Sequence, residues 1–286
     1  MISKKVTPGN KEGNMEYDFN LKGKVAVLTG AAGVLCSQIA MGLAKKGVKV
    51  VLLDLADMKA KEIAERITAD GGEAFSEKVD VLDKKSIESA ADKILKKFGT
   101  VDILINGAGG NKEEATTGRN KSFFDIPEEA IKWVFDLNLI GTILPCQVFG
   151  KIFAEKGKGS IINISSMAAF IPLTRTLAYS AAKAGVSNFT NWLAVHMNQE
   201  HSPEIRVNAI APGFLLTDQN YYLLIDKKTG GFTERGKKII DKTPMGRYGK
   251  PEELLGAIIF LCSEEASFVN GVILPIDGGF AAYSGV

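Results

Sequence analysis

Histidine and cysteine are scarce in this chain, with two of the first and three of the second among 286 residues. Cys36, Cys146 and Cys262 are odd in number and show no CxxC spacing. No disulfide framework is expected from them, and reduced thiols point to a cytoplasmic protein. His196 and His201 are five apart, with no cysteine or carboxylate cluster at ligand spacing, so no metal is expected. Charge of one sign is lacking too. Thirty-five Lys and Arg against 33 Asp and Glu leave a formal net charge of +2, too balanced for the broad basic footprint of a nucleic-acid binder. No apolar run reaches the roughly 18 residues of a membrane span, so no membrane partner is expected. The opening MISKKVTPGNKEGNMEYDF has no apolar core, which argues against a secretory signal. With 45% hydrophobic and 24% charged residues, general disorder is excluded and a substantial core is within reach without metal or disulfides.

What is present is alternation. Residues 1–18 are polar, with Pro8, Gly9 and Gly13, and read as a flexible tail; 19–286 read as one domain, with no composition break and no internal repeat. Strands are suggested at Lys24–Gly30, Val48–Asp54, AFSEKVDV, Val101–Gly109, Ser160–Ser166, Ile205–Gly213 and Gly271–Gly279. Between them lie segments of helical periodicity, including a long one over Glu128–Glu155, one over Tyr179–His201 and one opened by Pro251. The pattern predicts an α/β protein: a doubly wound, Rossmann-type parallel sheet of seven strands with helices on both faces.

Open parallel sheets bind ligands beyond the carboxyl ends of their strands. Here those ends carry Thr29-Gly30, Asp54, Asn106-Gly107-Ala108-Gly109 and Pro212-Gly213. Each alone is ordinary turn chemistry; their recurrence at successive strand ends points to a nucleotide site. The first turn, TGAAGVLC, lets backbone approach a pyrophosphate that the next helix N-terminus favours. This places Ala32, Gly33, Val34 and Leu35 with Gly30 at the cofactor. Asp54 can accept hydrogen bonds from ribose hydroxyls and would repel a 2′-phosphate, and Leu55 and Ala56 beside it offer no cation, so NAD(H) is favoured over NADP(H). Tyr179 and Lys183 are four apart, hence on one helix face. An ammonium beside a phenol favours phenolate, which predicts a lowered Tyr179 pKa suited to proton transfer. Alone, YxxxK is common on solvated helix faces; joined to Ser166 at the end of SIINIS, it points to a catalytic set.

From about Leu21 onward the chain resembles the short-chain dehydrogenases/reductases. The likeness rests on TG at 29–30, DV at 80–81, NGAG at 106–109, Asn138 in FDLNLIG, ISS at 164–166, YSAAK at 179–183 and PGFLLT at 212–217. It implies that Tyr179 is the general acid/base, that Ser166 orients a substrate carbonyl, and that Lys183 holds the nicotinamide ribose. It further implies that Asn138 positions a water in the proton relay. Asp80 and Val81 would flank the adenine, Asn106 to Gly109 would line the cleft, and Leu215 and Thr217 would contact the carboxamide end. A homotetramer, packed partly through the helices of Asn138 and Tyr179, is implied as well. Two departures stand out: Val34 and Cys36 occupy positions that are usually glycine, and Gly107 replaces an asparagine.

A narrower likeness, in GVLC, NGAGGN, SSMAAF, SNFTNWLAVH, APGFLLTDQN, TPMGR and DGGFAAYSGV, is to the D-mannonate oxidoreductase (fructuronate reductase) group of that family. It implies a keto-sugar acid as substrate, most specifically the D-fructuronate/D-mannonate pair. Another sugar or polyol dehydrogenase, such as a gluconate 5-dehydrogenase, and a non-catalytic NAD-binding regulator remain the alternatives. A sugar acid needs a cation and several hydroxyl readers. Arg175, just before the catalytic helix, and Lys112 supply candidate cations, with Asn111, Gln219 and Asn220 as readers. Lys112 and Arg119 read also as solvated loop charges, Arg119 above all. Residues 217–242, with Gly230-Gly231, sit where this family has a substrate lid and are expected to hold a short helix.

Overall fold

A computed structural model describes residues 18–217, 220–226 and 229–285, without the side chains of Tyr222 and Leu223. Most of the expected N-terminal tail, and Gln219, lie outside the described residues. Seven strands form one parallel sheet: β1 (Val25–Thr29), β2 (Lys49–Asp54), β3 (Ala74–Lys78), β4 (Ile103–Asn106), β5 (Gly159–Ile164), β6 (Ile205–Pro212) and β7 (Ile273–Ile276). Their spatial order is β3-β2-β1-β4-β5-β6-β7. The chain therefore winds outward from β1 in one direction and returns to β4 on its other side, which creates the crevice where ligands settle in such sheets.

Alternation along each strand feeds two cores. Ala26 and Leu28 of β1, with Val50 and Leu52 of β2, pack on the face covered by α1 (Val34–Lys45), α2 (Asp57–Ala69) and the C-terminal helix. Val25 and Val27, with Val51 and Leu53, pack on the opposite face against α3 (Lys84–Phe98) and two long helices. Because both faces are buried, the central strands β1, β4, β5 and β6 read in sequence as largely apolar runs, whereas the edge strand β3, only partly buried, carries Ser76, Glu77 and Lys78. Helix ends follow local chemistry. Asp83 caps α3 by accepting from the Lys85 amide at 2.9 Å, and Gly99 ends it at φ +76°.

The long helix predicted over Glu128–Glu155 is three segments. They are α4 (Glu128–Phe135), a π-helical turn at Asp136–Ile140 and α5 (Gly141–Lys156). Glu128–Lys156 is apolar and long enough to cross a membrane by length and composition, but half of its most apolar window is buried in the molecule, as in a core helix. The helix predicted from Tyr179 starts slightly earlier, as α6 (Leu177–Glu200). The strand expected over residues 74–81 stops at Lys78: Asp80 and Val81 fall in a turn, where Asp80 Oδ1 accepts from the Leu82 amide at 2.9 Å. After β6 come a single turn α7 (Tyr221–Leu224) and α8 (Glu234–Asp241), held together by buried Leu224, Ile225, Ile239 and Tyr248. Pro251 opens a 3-10 turn that leads into α9 (Leu255–Cys262).

Candidate active site

The carboxyl ends of β1, β4, β5 and β6 surround a cleft of about 350 Å3, lined among others by Gly30, Gly33, Ser166, Tyr179, Lys183 and Gly213. Its floor has no room for side chains. Gly30 sits at φ +61°, and a Cβ there would lie 2.7 Å from the Ala108 backbone. The Thr29 hydroxyl, buried beneath, accepts from the Gly107 amide at 3.2 Å and joins the β1 and β4 turns. Gly33 leads into α1, so a helix N-terminus faces the cleft. Close-approach backbone over a helix start is what a dinucleotide pyrophosphate requires, and the residues present fit such a group.

Of the predicted cofactor residues, Gly30, Gly33, Val34, Leu35, Gly107, Gly109, Tyr179, Lys183, Pro212, Gly213, Leu215 and Thr217 line this cleft. Asp54 stands at its side, where its two oxygens accept from the Ala32 amide at 2.9 Å and the Ala56 amide at 2.8 Å. The carboxylate thus holds the glycine turn in place and keeps lone pairs for a further donor. Leu55 next to it is exposed. Asn106 turns inward, not to the cleft: its Nδ2 donates to Asn163 Oδ1 at 2.9 Å. Cys36, Gly110, Ile164, Ser165, Phe214 and Asn220 also line the cleft. Asn220 is a brace, accepting from the Thr217 amide at 2.9 Å and donating to the Leu215 carbonyl at 2.8 Å.

The two unusual positions explain each other. A Cβ on Gly107 would lie 2.0 Å from Cys36 Sγ. The thiol of α1 fills the space that a side chain at 107 would need, so a larger residue at 36 and a smaller one at 107 belong together. Burial pushes the Cys36 thiol up to about 12, aided by nearby Asp54, so it packs as a neutral small hydrophobe. Cys146 and Cys262 are likewise free, buried and pushed up to about 12 by burial.

The predicted catalytic side chains converge. Asn138, fully buried, sits in the π-helical turn, a distortion common at functional positions. Its Nδ2 donates to the carbonyls of Gly110 at 2.7 Å and Val134 at 2.8 Å, and its Oδ1 accepts from the Gly110 amide at 3.2 Å. The side chain is therefore occupied in bolting the loop after β4 to the helix. A Cβ on Gly109 would meet Asn138 Oδ1 at 2.8 Å and Lys183 Nζ at 3.2 Å, which is why that residue carries none. Ser166 begins a short turn after β5, with its hydroxyl accepting from the Ala168 amide at 3.1 Å.

Lys183 is buried, and its Nζ donates to the Ile164 carbonyl at 2.8 Å and lies 5.7 Å from the Tyr179 ring centroid. Burial lowers its pKa to about 8. The predicted depression of Tyr179 by Lys183 does not hold for the protein's own groups. Burial raises the Tyr179 pKa, and the lowering influence is the Ser166 hydroxyl. The ammonium is held by the Ile164 carbonyl, and burial is the dominant influence on the phenol.

The predicted substrate residues divide. Arg175 lines a second cavity, of about 730 Å3, which shares Phe214 with the cleft. Arg119, read as a solvated loop charge, lines the same cavity. Lys112 does not; its Nζ lies 5.0 Å over the Trp133 ring. Asn111 is tied to Thr116, with 3.1 Å between Nδ2 and Oγ1. Among the described residues, no group of three or more His, Cys, Asp and Glu is placed to hold a metal.

Known proteins share this architecture. The family model described as enoyl-(acyl carrier protein) reductase matches residues 30–281. The uncharacterized oxidoreductase UxuB of Bacillus subtilis (strain 168) is 50% identical over 276 residues, 93% of this chain and 98% of that protein. The 2-dehydro-3-deoxy-D-gluconate 5-dehydrogenase of Dickeya dadantii is 36% identical over 266 residues, covering 92% of this chain and 98% of that one. A solved structure from Haemophilus influenzae, provisionally a D-mannonate oxidoreductase and with NAD bound, superposes with a TM-score of 0.89 at 50% identity, covering 93% of this chain and 98% of that one. Family match, sequence identity and superposition agree, and the chain belongs to the short-chain dehydrogenase/reductase family of oxidoreductases.

Proposed function

We propose that the protein is an NAD(H)-dependent oxidoreductase that interconverts a keto-sugar acid and its hydroxy acid, with D-fructuronate and D-mannonate as the pair. The observation that carries the reaction type is the convergence of Ser166, Tyr179 and Lys183 on one cleft floored by close-packed glycines, with Asn138 buried behind Gly109. The glycine turn, the α1 N-terminus and Asp54 hold the dinucleotide. Bound nicotinamide supplies or accepts the hydride.

The protein's part is protonic and geometric. Tyr179 gives a proton to the substrate oxygen during reduction and takes it back during oxidation. With burial favouring the neutral phenol, the residue is loaded as a donor at neutral pH. Ser166 holds the same oxygen and eases loss of the phenolic proton. Lys183, fixed by the Ile164 carbonyl, presents its ammonium beside Gly109 to the ribose. Asn138 is a positioning residue: it fixes the loop after β4, so that a relay water has constant neighbours.

The sugar-acid assignment is supported by Arg175 in the adjoining cavity and by the name given to the Haemophilus protein. A related reading, a gluconate-type dehydrogenase, draws support from the Dickeya relative. The test is NADH oxidation with D-fructuronate, other keto-sugar acids and neutral ketoses. Preference for D-fructuronate supports the narrow reading; turnover of another sugar alone retains the reaction and replaces the substrate. NADH binding without any turnover favours the regulator. The same reading makes the protein a cytoplasmic homotetramer. Exposed Trp133 on α4 and exposed Trp192 and Val195 on α6 offer the apolar faces, and light scattering that gives a monomer mass would remove that part.

A further inference from the structure

The cavity beside the cleft is strongly cationic. The whole chain carries a formal net charge of +2, yet this one cavity is lined by five cations, Arg119, Arg175, Arg235, Lys238 and Lys242, against the single carboxylate of Glu234. They come from three separate segments: the loop after β4, the loop before α6, and α8. None of the five is ion-paired among the described residues. Arg235, Lys238 and Lys242 follow one another at helical spacings of three and four, which puts them on one face of α8 and its cap. Like charges so placed repel and weaken the helix unless an anion sits among them. Behind them the wall is apolar, from Ile171, Leu173, Phe214, Ile239 and Phe280. A wall of low polarisability beside a cationic rim strengthens attraction for an anion. Phe214 packs edge-to-face on Phe280 at 5.2 Å and forms the border with the catalytic cleft.

We propose that this cationic chamber is the subsite for the substrate's acidic group, and that Arg235 and Lys238 of α8, with Arg175 and Arg119 opposite, select acids over neutral sugars. The inference rests on the proposed function and deepens it. A substrate whose carbonyl lies at Tyr179 passes its carboxylate past Phe214 into the chamber, where arginine forks bind it in bidentate fashion. At about 730 Å3 the chamber has the size of an ordinary small-molecule site.

The experiment compares kcat/KM for a keto-sugar acid and for the neutral ketose of the same chain length, in the wild type and in Arg175→Gln, Arg235→Gln, Lys238→Gln and Lys237→Gln. Lys237 lies on the same helix but does not line the chamber, so Lys237→Gln is the control. The first three variants are expected to lose about tenfold or more in kcat/KM for the acid, mainly through KM, with the neutral substrate unchanged. Inorganic phosphate is expected to compete with the acid and to lose its effect in Lys238→Gln. Equal losses for both substrates, no loss, or the same loss in Lys237→Gln would overturn the subsite. Phosphate inhibition that is noncompetitive with the acid would also overturn it, and would assign the chamber to a separate effector anion. Turnover of neutral sugars with no acid activity in the wild type sinks the chamber but leaves the dehydrogenase. Absence of all turnover sinks both.

Discussion

The catalytic cleft and the cationic chamber meet at Phe214 and are built in opposite ways. At the cleft, polar groups are held by backbone: buried Asn138 by Gly110 and Val134, buried Lys183 by Ile164, and half-buried Asp54 by Ala32 and Ala56. In the chamber, the charges stand on exposed side chains of loops and a short helix, with no ion-pair partners among the described residues. Chemistry at a fixed carbon needs groups positioned to a fraction of an ångström. Recognition of a charged tail tolerates mobile side chains on a lid. The difference predicts that changes in the cleft alter rate for every substrate, whereas changes in the chamber alter only which substrate is used.

The largest effect is expected from Tyr179→Phe, which removes the proton donor: a loss of roughly 10²- to 10⁴-fold in kcat for acid and neutral substrates alike. NADH binding, followed by fluorescence, should persist. If the loss fell on acids alone, the division of labour would be broken. Next comes the packing pair beneath the cofactor. Gly107→Asn forces a side chain against Cys36 Sγ and should destabilise the protein by about 1–3 kcal/mol. Adding Cys36→Gly should restore much of this despite the cost of glycine at a helix start, giving a coupling of about 0.5–3 kcal/mol in a denaturation double-mutant cycle. Simple additivity would contradict the pairing.

This pair also shows what a sequence can and cannot disclose. Strands such as Val48–Asp54 are legible because both faces are buried, leaving uninterrupted apolar runs ended by a polar or glycine residue. The catalytic set is legible because Ser166, Tyr179 and Lys183 lie close along the chain. Cys36 and Gly107 read as two separate departures, since their complementarity exists only across the β1–β4 junction. The π-helical turn around Asn138 is hidden because its apolar pattern continues that of the flanking helices. Arg119 is far from Arg235 in sequence, and only the folded loops place both on one cavity. The lowering expected of Tyr179 fails for a related reason: spacing gives the face shared with Lys183, but not the burial that raises the phenol's pKa.

Titration gives a subtler separation. Reduction needs a protonated Tyr179 and oxidation needs the phenolate. Burial raises the Tyr179 pKa, so reduction should stay level across neutral pH while oxidation rises toward alkaline pH. Ser166→Ala removes the lowering influence and should shift the alkaline rise of oxidation upward, for all substrates equally. A downward shift, or one confined to acids, would contradict the assignment. Lys183 makes stability depend on pH in the alkaline range, because burying its ammonium is a cost. Its folded pKa of about 8 lies below its usual value of 10.5, so the unfolded chain binds more protons between these two limits. Stability from this group should therefore rise with pH across that window, an effect that Lys183→Met would remove. The smallest effect is expected from salt. Raising ionic strength should lower kcat/KM for an acid through the exposed chamber cations, while leaving a neutral ketose nearly unaffected.

The most direct test is NADH oxidation by the wild type and by Tyr179→Phe, with D-fructuronate and a neutral ketose side by side. Rapid turnover of the acid, much slower turnover of the ketose, and loss of both in the variant are expected. Equal rates for acid and ketose in the wild type, or an active Tyr179→Phe, would contradict the proposed function.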